Sequence, residues 1–388
     1  MKIKKKIIFV ITEFGGFNLF LSELCFYLLE NNNDITIITT NNKIINTADK
    51  FNYQSSELNF KYINIPRGYN LFKYFVASFK INKIIKDIKP DLINAHLTTG
   101  IFATIFLKKP NYRILGTFHG LGYVQLRGFK KLLFYLIENI CFYRLDKILV
   151  LNEIDYNSIP FFFKNKAYKY KCLGLGCDLE IYNNSKISSI EKNLLISKFD
   201  ISNKFVLTYT GRFVDFKGFH LVAKAFLNLD KNYKNKFALI LIGGKDPLHN
   251  SGLNKNEETA FFENNNVKFI SFTNDIKTYL SITNLFLFPS RREGVPISIT
   301  EALAMGIPVI TLNTRGCNEL VINDFNGIVL DDNISEDLIV KNIYFNILNM
   351  FSNQNLLYKY SNNALSLRDN LSRINFIEET NNLIIQNF

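Results

Sequence analysis

Cysteine is scarce in this chain and is never spaced for metal or redox work. Its five cysteines (Cys25, Cys141, Cys172, Cys177, Cys317) form no C-x-x-C pair, and their number is odd. That argues against a disulfide framework and fits a reducing cytoplasm with unpaired thiols. Histidine is rarer still, with four residues, none at metal-ligand spacing. Uninterrupted apolar stretches long enough for a membrane span, ~18 residues, are missing. The basic start, Met1 to Lys6, leads into an apolar run that Thr12-Glu13 interrupts. It reads as a first strand and not as a signal peptide. A soluble or peripheral protein is expected. Short-period repeats and low-complexity linkers are also absent.

What is present is enough apolar material for two cores. At 388 residues the chain exceeds a typical single core, and its hydrophobic fraction is 47%, with 37 Phe and 19 Tyr. Charge is unevenly spread. Residues 1–183 hold 25 Lys+Arg against 14 Asp+Glu, a balance of +11, and residues 184–388 hold 21 against 20, a balance of +1. A basic half beside a neutral one points to an anionic surface met by the first half.

Short apolar strands are expected at Lys6–Thr12, Asp34–Thr40, Lys61–Ile65, Asp91–Leu97, Arg113–Phe118, Lys147–Leu151 and Lys169–Leu173, with helical stretches between most of them. Glu13-Phe14-Gly15-Gly16 reads as a turn before a helix from Phe17 to Glu30. A polar stretch, Asn183 to Asn203, reads as linker. The pattern then restarts at Phe205–Thr210, Phe237–Ile242, Val267–Ser271, Leu285–Phe288 and Pro308–Thr311, and helical periodicity alone follows Ser335. This alternation predicts an α/β protein of two tandem doubly wound, Rossmann-like domains. Their expected limits are 1–183 and 184–370, with a terminal helix over 371–388.

Ligands of such sheets sit at the carboxyl ends of strands. The first half offers Gly15-Gly16, His96 and Phe118-His119-Gly120 there. The second offers Thr210-Gly211-Arg212, Lys217-Gly218, and the run Pro289-Ser290-Arg291-Arg292-Glu293-Gly294-Val295-Pro296 leading into a helix with Glu301. Backbone N–H groups at a helix start beside a glycine suit phosphate. Arg212 and Lys217 are two fixed cations suited to a diphosphate. Glu301 falls on an otherwise apolar helix face, where a carboxylate needs a partner and a ribose diol would supply two hydroxyls. A capped helix with solvated carboxylates, an ordinary solvated cation pair, a plain tight turn at Gly15-Gly16 and a structural histidine at His119 are the alternative readings.

Taken together these residues resemble glycosyltransferase family 4, retaining enzymes of the GT-B fold. Glu293 and Glu301, with seven residues between their positions counted as in the E-x7-E signature, carry the resemblance, as do Gly211-Arg212-Phe213 with Lys217-Gly218, Gly15-Gly16, and Thr117-Phe118-His119-Gly120. Gly176-Cys177-Asp178 looks like the segment that links the two domains. Arg315-Gly316-Cys317-Asn318-Glu319-Leu320 looks like a variant found among surface-polysaccharide enzymes. The resemblance implies two domains facing across a cleft, with the acceptor bound mainly by the first and the nucleotide sugar by the second. It implies that Arg212 and Lys217 neutralise the donor diphosphate, that Glu301 holds the ribose, and that Glu293, with the backbone at Gly294, Val295 and Pro296, contacts the donor sugar. His119 would approach that sugar, while Gly15, Gly16 and Gly211 would let backbone reach the phosphates. A UDP sugar is the expected donor, with retention of configuration, no metal and no further cofactor.

Three basic, aromatic stretches stand out in the first half: Arg67–Phe75, Arg127–Phe134 and Phe161–Lys166. Exposed together they would suit an anionic headgroup layer. The expectation is therefore a cytoplasmic enzyme, peripheral on the inner membrane face, acting on a polyprenyl diphosphate-linked saccharide in O-antigen, capsule or glycoprotein-glycan synthesis. Competing readings are a GT-B nucleotide-sugar 2-epimerase, a dinucleotide oxidoreductase and a non-catalytic basic binder. The oxidoreductase needs G-x-G-x-x-G after the first strand, which Gly15-Gly16-Phe17-Asn18-Leu19 does not supply. No nucleic-acid module is visible either, so no nucleic-acid partner is expected.

Overall fold

The computed structural model describes residues 4–41, 57–107 and 111–385. Residues 1–3 of the basic start and 386–388 of the terminal segment lie outside them. Two compact units emerge, Met1–Lys171 with Phe376–Phe388, and Cys172–Asn375.

The first unit is built on seven strands: β1 (Lys6–Glu13), β2 (Asp34–Thr40), β3 (Asn59–Tyr62), β4 (Leu92–His96), β5 (Arg113–Phe118), β6 (Lys147–Val150) and β7 (Ala167–Lys169). All pair in parallel in the order β3-β2-β1-β4-β5-β6-β7. The apolar runs need no alternation because helices cover both faces; Ile7 through Ile11 are all buried. The order reverses between β1 and β4, the switch point where the strands' carboxyl ends open a crevice.

The second unit repeats this plan with β8 (Phe205–Phe213), β9 (Phe237–Lys245), β10 (Val267–Ile270), β11 (Leu285–Phe288), β12 (Val309–Leu312) and β13 (Gly327–Leu330). Its order is β10-β9-β8-β11-β12-β13, again parallel, with the switch between β8 and β11. The helix Phe219–Asn232 has a one-sided apolar face, and its Phe219, Leu221, Val222 and Phe226 enter a core shared with Leu239, Leu241, Ile339 and Ile343.

Several expectations shift. Gly15 and Gly16 lie inside a helix, Phe14–Phe20, that starts directly where β1 ends, and not in a turn. The stretch read as linker contains a helix, Ser189–Phe199. A capping box starts it: the Ser188 hydroxyl accepts from the Glu191 N–H, and the Glu191 carboxylate accepts from the Ser188 N–H. β7 ends at Lys169, before the apolar Leu173 that drew the expected strand, and β3 sits slightly upstream of its expected place. β13 was missed because Gly327–Leu330 is four residues long and follows polar Asn323-Asp324.

The segment from Cys172 folds with the second unit, so the first unit ends earlier than residue 183. Cys177 explains this. Its N–H donates to the Leu371 carbonyl at 2.8 Å, and its carbonyl accepts from the Arg373 N–H at 2.9 Å. The final helix, Arg373–Ile385, returns to the first unit, where Phe376 packs on Tyr170 and Glu379 accepts from the Tyr168 hydroxyl and the Lys171 N–H, each at 2.7 Å.

Candidate active site

The second unit's switch point gathers three loops. Pro289–Pro296 leaves β11 and opens the helix Ile297–Ala304, with Pro296 at its N-cap. It is clamped on both sides. From the β8 side, the Phe216 carbonyl accepts from the Arg291 N–H at 2.9 Å. From the β12 side, the Thr314 hydroxyl donates to the Ser290 carbonyl at 2.8 Å and Arg315 Nε donates to the Glu293 carbonyl at 2.7 Å. Two glycines make the approach possible. A methyl on Gly218 (φ +71°) would lie 2.0 Å from the Pro289 carbonyl oxygen, and one on Gly316 (φ +74°) 1.9 Å from that of Gly294. The loop is thus held before any ligand arrives.

Both expected cations stand here, but neither is bare. Lys217 ends a 3-10 turn before the Phe219–Asn232 helix, and its Nζ lies 2.5 Å from Glu293 Oε1. Arg212, at the end of β8, pairs with Asp246 Oδ2 at 2.6 Å and is half-exposed. The Leu248 N–H and the Arg212 guanidinium hold the Asp246 carboxyl below its ordinary value. The Arg212 and Arg292 guanidinium carbons lie 5.3 and 5.4 Å from the centre of the Phe216 ring. Two cations, each oriented by a carboxylate, can bind a diphosphate without having to be gathered first.

Glu301 sits one turn into the Ile297–Ala304 helix and is nearly buried. Its Oε1 accepts from the Tyr182 hydroxyl at 2.6 Å. Burial pushes its pKa up to about 7, against the pull of Tyr182 and Arg373. The partner that its apolar setting demanded is supplied within the chain, leaving the carboxylate's remaining lone pairs for a ligand. Val295, at the mouth of this helix, packs so closely on Gly174 that a methyl there would lie 2.4 Å from Val295 Cγ1.

His119 belongs to the first unit. It follows β5, stacks on Phe20 of the Phe14–Phe20 helix at 4.3 Å, and its Nε2 is 3.0 Å from His96 Nδ1 at the end of β4. Burial, with His119 alongside, holds His96 well below the ordinary imidazole pKa, so His96 is neutral. Gly16 lies in the same helix as Phe20, so this cluster joins Gly15-Gly16 and His119 at the first unit's own switch point. Glu138 fixes the chain just after His119. Buried on the Gly128–Arg144 helix, it accepts from the Thr98 hydroxyl at 2.6 Å, the Gly122 N–H at 2.9 Å and the Tyr123 N–H at 3.3 Å. Desolvation raises its pKa to about 7.

The residues expected to act together therefore fall into two groups. Gly211, Arg212, Lys217, Glu293, Gly294, Val295, Pro296 and Glu301 share the second unit's switch point. Gly15, Gly16 and His119 share the first's. The sequence reading missed Asp246, Phe216, Tyr182 and Glu138, and gave Arg315 no part in holding the loop. Only Tyr182 left a trace, as the partner that buried Glu301 had to have.

The family model "Glycosyl transferases group 1" matches residues 192–365, and "Glycosyl transferase 4-like" matches residues 6–152. The capsular polysaccharide biosynthesis glycosyltransferase CapM of Staphylococcus aureus is 26% identical over 79% of this chain and 78% of its own. The UDP-Gal:alpha-D-GlcNAc-diphosphoundecaprenol alpha-1,3-galactosyltransferase of Escherichia coli is 27% identical over 69% of each. Among solved structures, Anabaena Alr3699/HepE in complex with UDP and glucose superposes with a TM-score of 0.76 at 17% identity, covering 100% of both chains. The two Rossmann-like parallel sheets are those of the GT-B fold, and the chain belongs to the family 4 glycosyltransferases, enzymes that move a sugar from a donor to an acceptor.

Proposed function

We propose that this glycosyltransferase moves a hexose or N-acetylhexosamine from a UDP sugar to a lipid-linked saccharide in the assembly of a surface glycan, with retention of configuration. The observation that carries the reading is the pairing of Lys217 with Glu293 beside Arg212, at the second unit's switch point and at the start of the Glu301 helix. The Escherichia coli relative's name, with its UDP-galactose and diphosphoundecaprenol, and the UDP and glucose in the Anabaena structure support the donor and acceptor classes. The capsular relative supports the pathway class.

In this reading the acceptor hydroxyl oxygen bonds to the anomeric carbon as the bond from that carbon to the UDP oxygen breaks. The hydroxyl proton passes to the departing phosphate, giving a glycoside and UDP. Charge grows on the diphosphate as the bond breaks, and Arg212 and Lys217 stabilise it most where it is greatest. Glu293 and the Gly294–Pro296 backbone hold the sugar, and Glu301 accepts from the ribose hydroxyls. The chain's own cations take the charge, and no metal is invoked.

The same reading makes the protein peripheral on an anionic membrane. Phe72, Phe75 and Phe79 are exposed along the helix Leu71–Ile88, and Phe129, Leu132, Leu136 and Tyr143 along Gly128–Arg144. Tyr69 meets Phe134 edge-on at 6.2 Å and so joins the two faces; exposed Phe161 and Phe162 extend the second. Lys73, Lys80, Lys83, Arg127, Lys130 and Lys131 are exposed among them. Among the described residues no helix is long and apolar enough to cross a membrane.

The test is incubation with UDP-glucose, UDP-galactose and their N-acetylated counterparts, with undecaprenyl diphosphate-linked N-acetylglucosamine in vesicles. One donor should yield an α-linked lipid product by NMR. An epimerised nucleotide sugar formed without acceptor, or no lipid product from any donor, would overturn the reading.

A further inference from the structure

Lys217 and Glu293 are carried by different segments of the second unit, and one carboxylate outside the pair reaches both segments. Glu336 opens the helix Glu336–Ser352, directly after its N-cap Ser335, whose side chain accepts from the Leu338 N–H. Glu336 Oε1 accepts from Arg291 Nη1 at 2.8 Å, and Oε2 lies 3.2 Å from His220 Nε2. Arg291 stands two positions before Glu293 on the loop after β11. His220 stands three positions after Lys217, in the first turn of the Phe219–Asn232 helix. Each segment thus receives one oxygen of the same carboxylate.

The bridge stands on a rigid base. The two helices bury Phe219, Val222, Phe226, Ile339 and Ile343 in one core, which fixes the backbone of Glu336 relative to that of His220. An acidic residue in a first helical turn is also favoured by the N–H groups there. The imidazole is confined. His220 is buried, and a methyl on Gly252 (φ +80°) would lie 2.7 Å from its Cγ and its Nδ1. That Nδ1 is buried and meets no hydrogen-bond partner among the described residues. A bare ring nitrogen costs less to bury than an N–H without an acceptor, so the proton belongs on Nε2, where it is donated to Glu336. Burial holds the imidazole below its ordinary pKa against the pull of Glu336, and His220 is neutral. Partial burial works against the Glu336 carboxylate, but His220 and Arg291 outweigh it and hold its pKa below the ordinary value.

Arg291 is therefore held at two points. Its backbone N–H donates to the Phe216 carbonyl at 2.9 Å, one residue before Lys217, and its guanidinium is held by Glu336. One hydrogen bond leaves a loop free to pivot about it, whereas a second attachment on the same residue opposes the pivot that would carry Glu293 away from Lys217. We infer that Glu336 is a positioning residue of the donor site: by holding Arg291 and His220 together it keeps the Glu293 carboxylate against the Lys217 ammonium, and so sets where that cation stands when a diphosphate arrives. Its consequence for a ligand rests on the donor-site reading above, while the positioning itself is read without any ligand.

Amide hydrogen exchange over residues 290–295 of the unliganded full chain measures the positioning. Glu336→Ala and Arg291→Ala cut the bridge from its two ends, and both side chains are partly exposed, so the fold should survive each. Exchange in this loop should quicken about five-fold or more in both variants, and the double variant should add less than about two-fold to either single one. Calorimetric titration of UDP into the same proteins measures the consequence. Glu336→Ala should weaken binding about five-fold or more, but less than about two-fold when made on Lys217→Ala, where the ammonium it positions is gone. A residue that only supported the fold would cost as much in both backgrounds. Unchanged exchange in Glu336→Ala would overturn the inference. So would UDP binding equal to that of the wild type, or a loss fully retained in the Lys217→Ala background. A wild-type chain that binds no UDP would remove the donor reading instead, and the exchange result would then decide the positioning alone.

Discussion

Lys217 and Glu293 meet at 2.5 Å although 76 positions separate them in the chain. The contact joins the turn after β8 to the loop after β11, and both side chains are largely withdrawn from water. Each therefore depends on the other, and a ligand that takes the ammonium must also satisfy the carboxylate. A donor carrying a diphosphate beside a hydroxyl-rich sugar does both.

Lys217→Ala removes one of the two cations facing the leaving diphosphate and takes the ammonium away from the Glu293 carboxylate. The expected loss in kcat is about 10²- to 10³-fold, as for other preorganised charge-stabilising groups, together with a lower melting temperature. The double variant K217M/E293Q should recover much of the stability and none of the activity. Melting curves and initial rates on the three proteins check this. Recovery of activity along with stability would reduce the pair to a structural role.

Glu301 carries a pH signature. Its pKa is about 7 in the folded protein against an ordinary 4.5. The folded state thus holds a proton there that the unfolded chain has released. The stability gained from that proton is full below about pH 4.5 and is lost as pH rises through about 7. The whole difference amounts to at most about 3 kcal/mol. Glu301→Gln keeps an acceptor for Tyr182 and removes the titration. Relative to wild type, it should therefore be more stabilising at pH 8 than at pH 5. Denaturant melts at the two pH values measure this; an equal difference at both would contradict the assigned burial.

Gly316→Ala should cost about 2 kcal/mol or more, because both its backbone angle and the Gly294 carbonyl oppose a side chain. It should also weaken donor binding, since the Glu293 loop must move to admit the methyl. Gly244→Ala is the control, because a methyl there meets nothing within 4 Å. Equal effects of the two substitutions in denaturant melts would show that the clamp on the loop is not tight.

The double variant F72S/F129S tests the membrane face. Both rings are highly exposed, so melting should be unaffected, while co-sedimentation with phosphatidylglycerol vesicles should fall at least five-fold. Added salt should weaken wild-type binding through the surrounding lysines. A wild-type protein that ignores such vesicles at low salt would remove the membrane claim and leave the transferase intact.

Much of the fold was legible because parallel strands buried on both faces leave unbroken apolar runs, as in Lys6–Thr12 and Leu285–Phe288. The errors fell where that signal is weak. Gly15 and Gly16 are poor helix formers, yet the helix there is set by packing: Phe14 and Phe17 are both buried. The four-residue β13 gains its place from pairing with β12 and not from its own sequence. At the candidate site, residue identity singled out Arg212, Lys217 and Glu293 as charges close to strand ends, and Glu301 as a carboxylate on an apolar helix face. Their partners were hidden. Asp246 and Tyr182 lie 34 and 119 positions from the groups they hold, and nothing local marks them. Glu138 carries no signal in the sequence, because a single carboxylate on a helix whose exposed face is basic and aromatic gives no hint that it points the other way, into the core.

Calorimetric titration of UDP, GDP and ADP into the wild-type chain, into Arg212→Ala and into Glu301→Ala tests the donor site most directly. UDP should bind the wild type, Arg212→Ala should weaken this about ten-fold or more through the lost charge on the diphosphate, and Glu301→Ala should weaken it through the ribose. UDP binding that survives both substitutions unchanged, or no binding of any of the three nucleotides, would contradict the placement of the donor at the second unit's switch point.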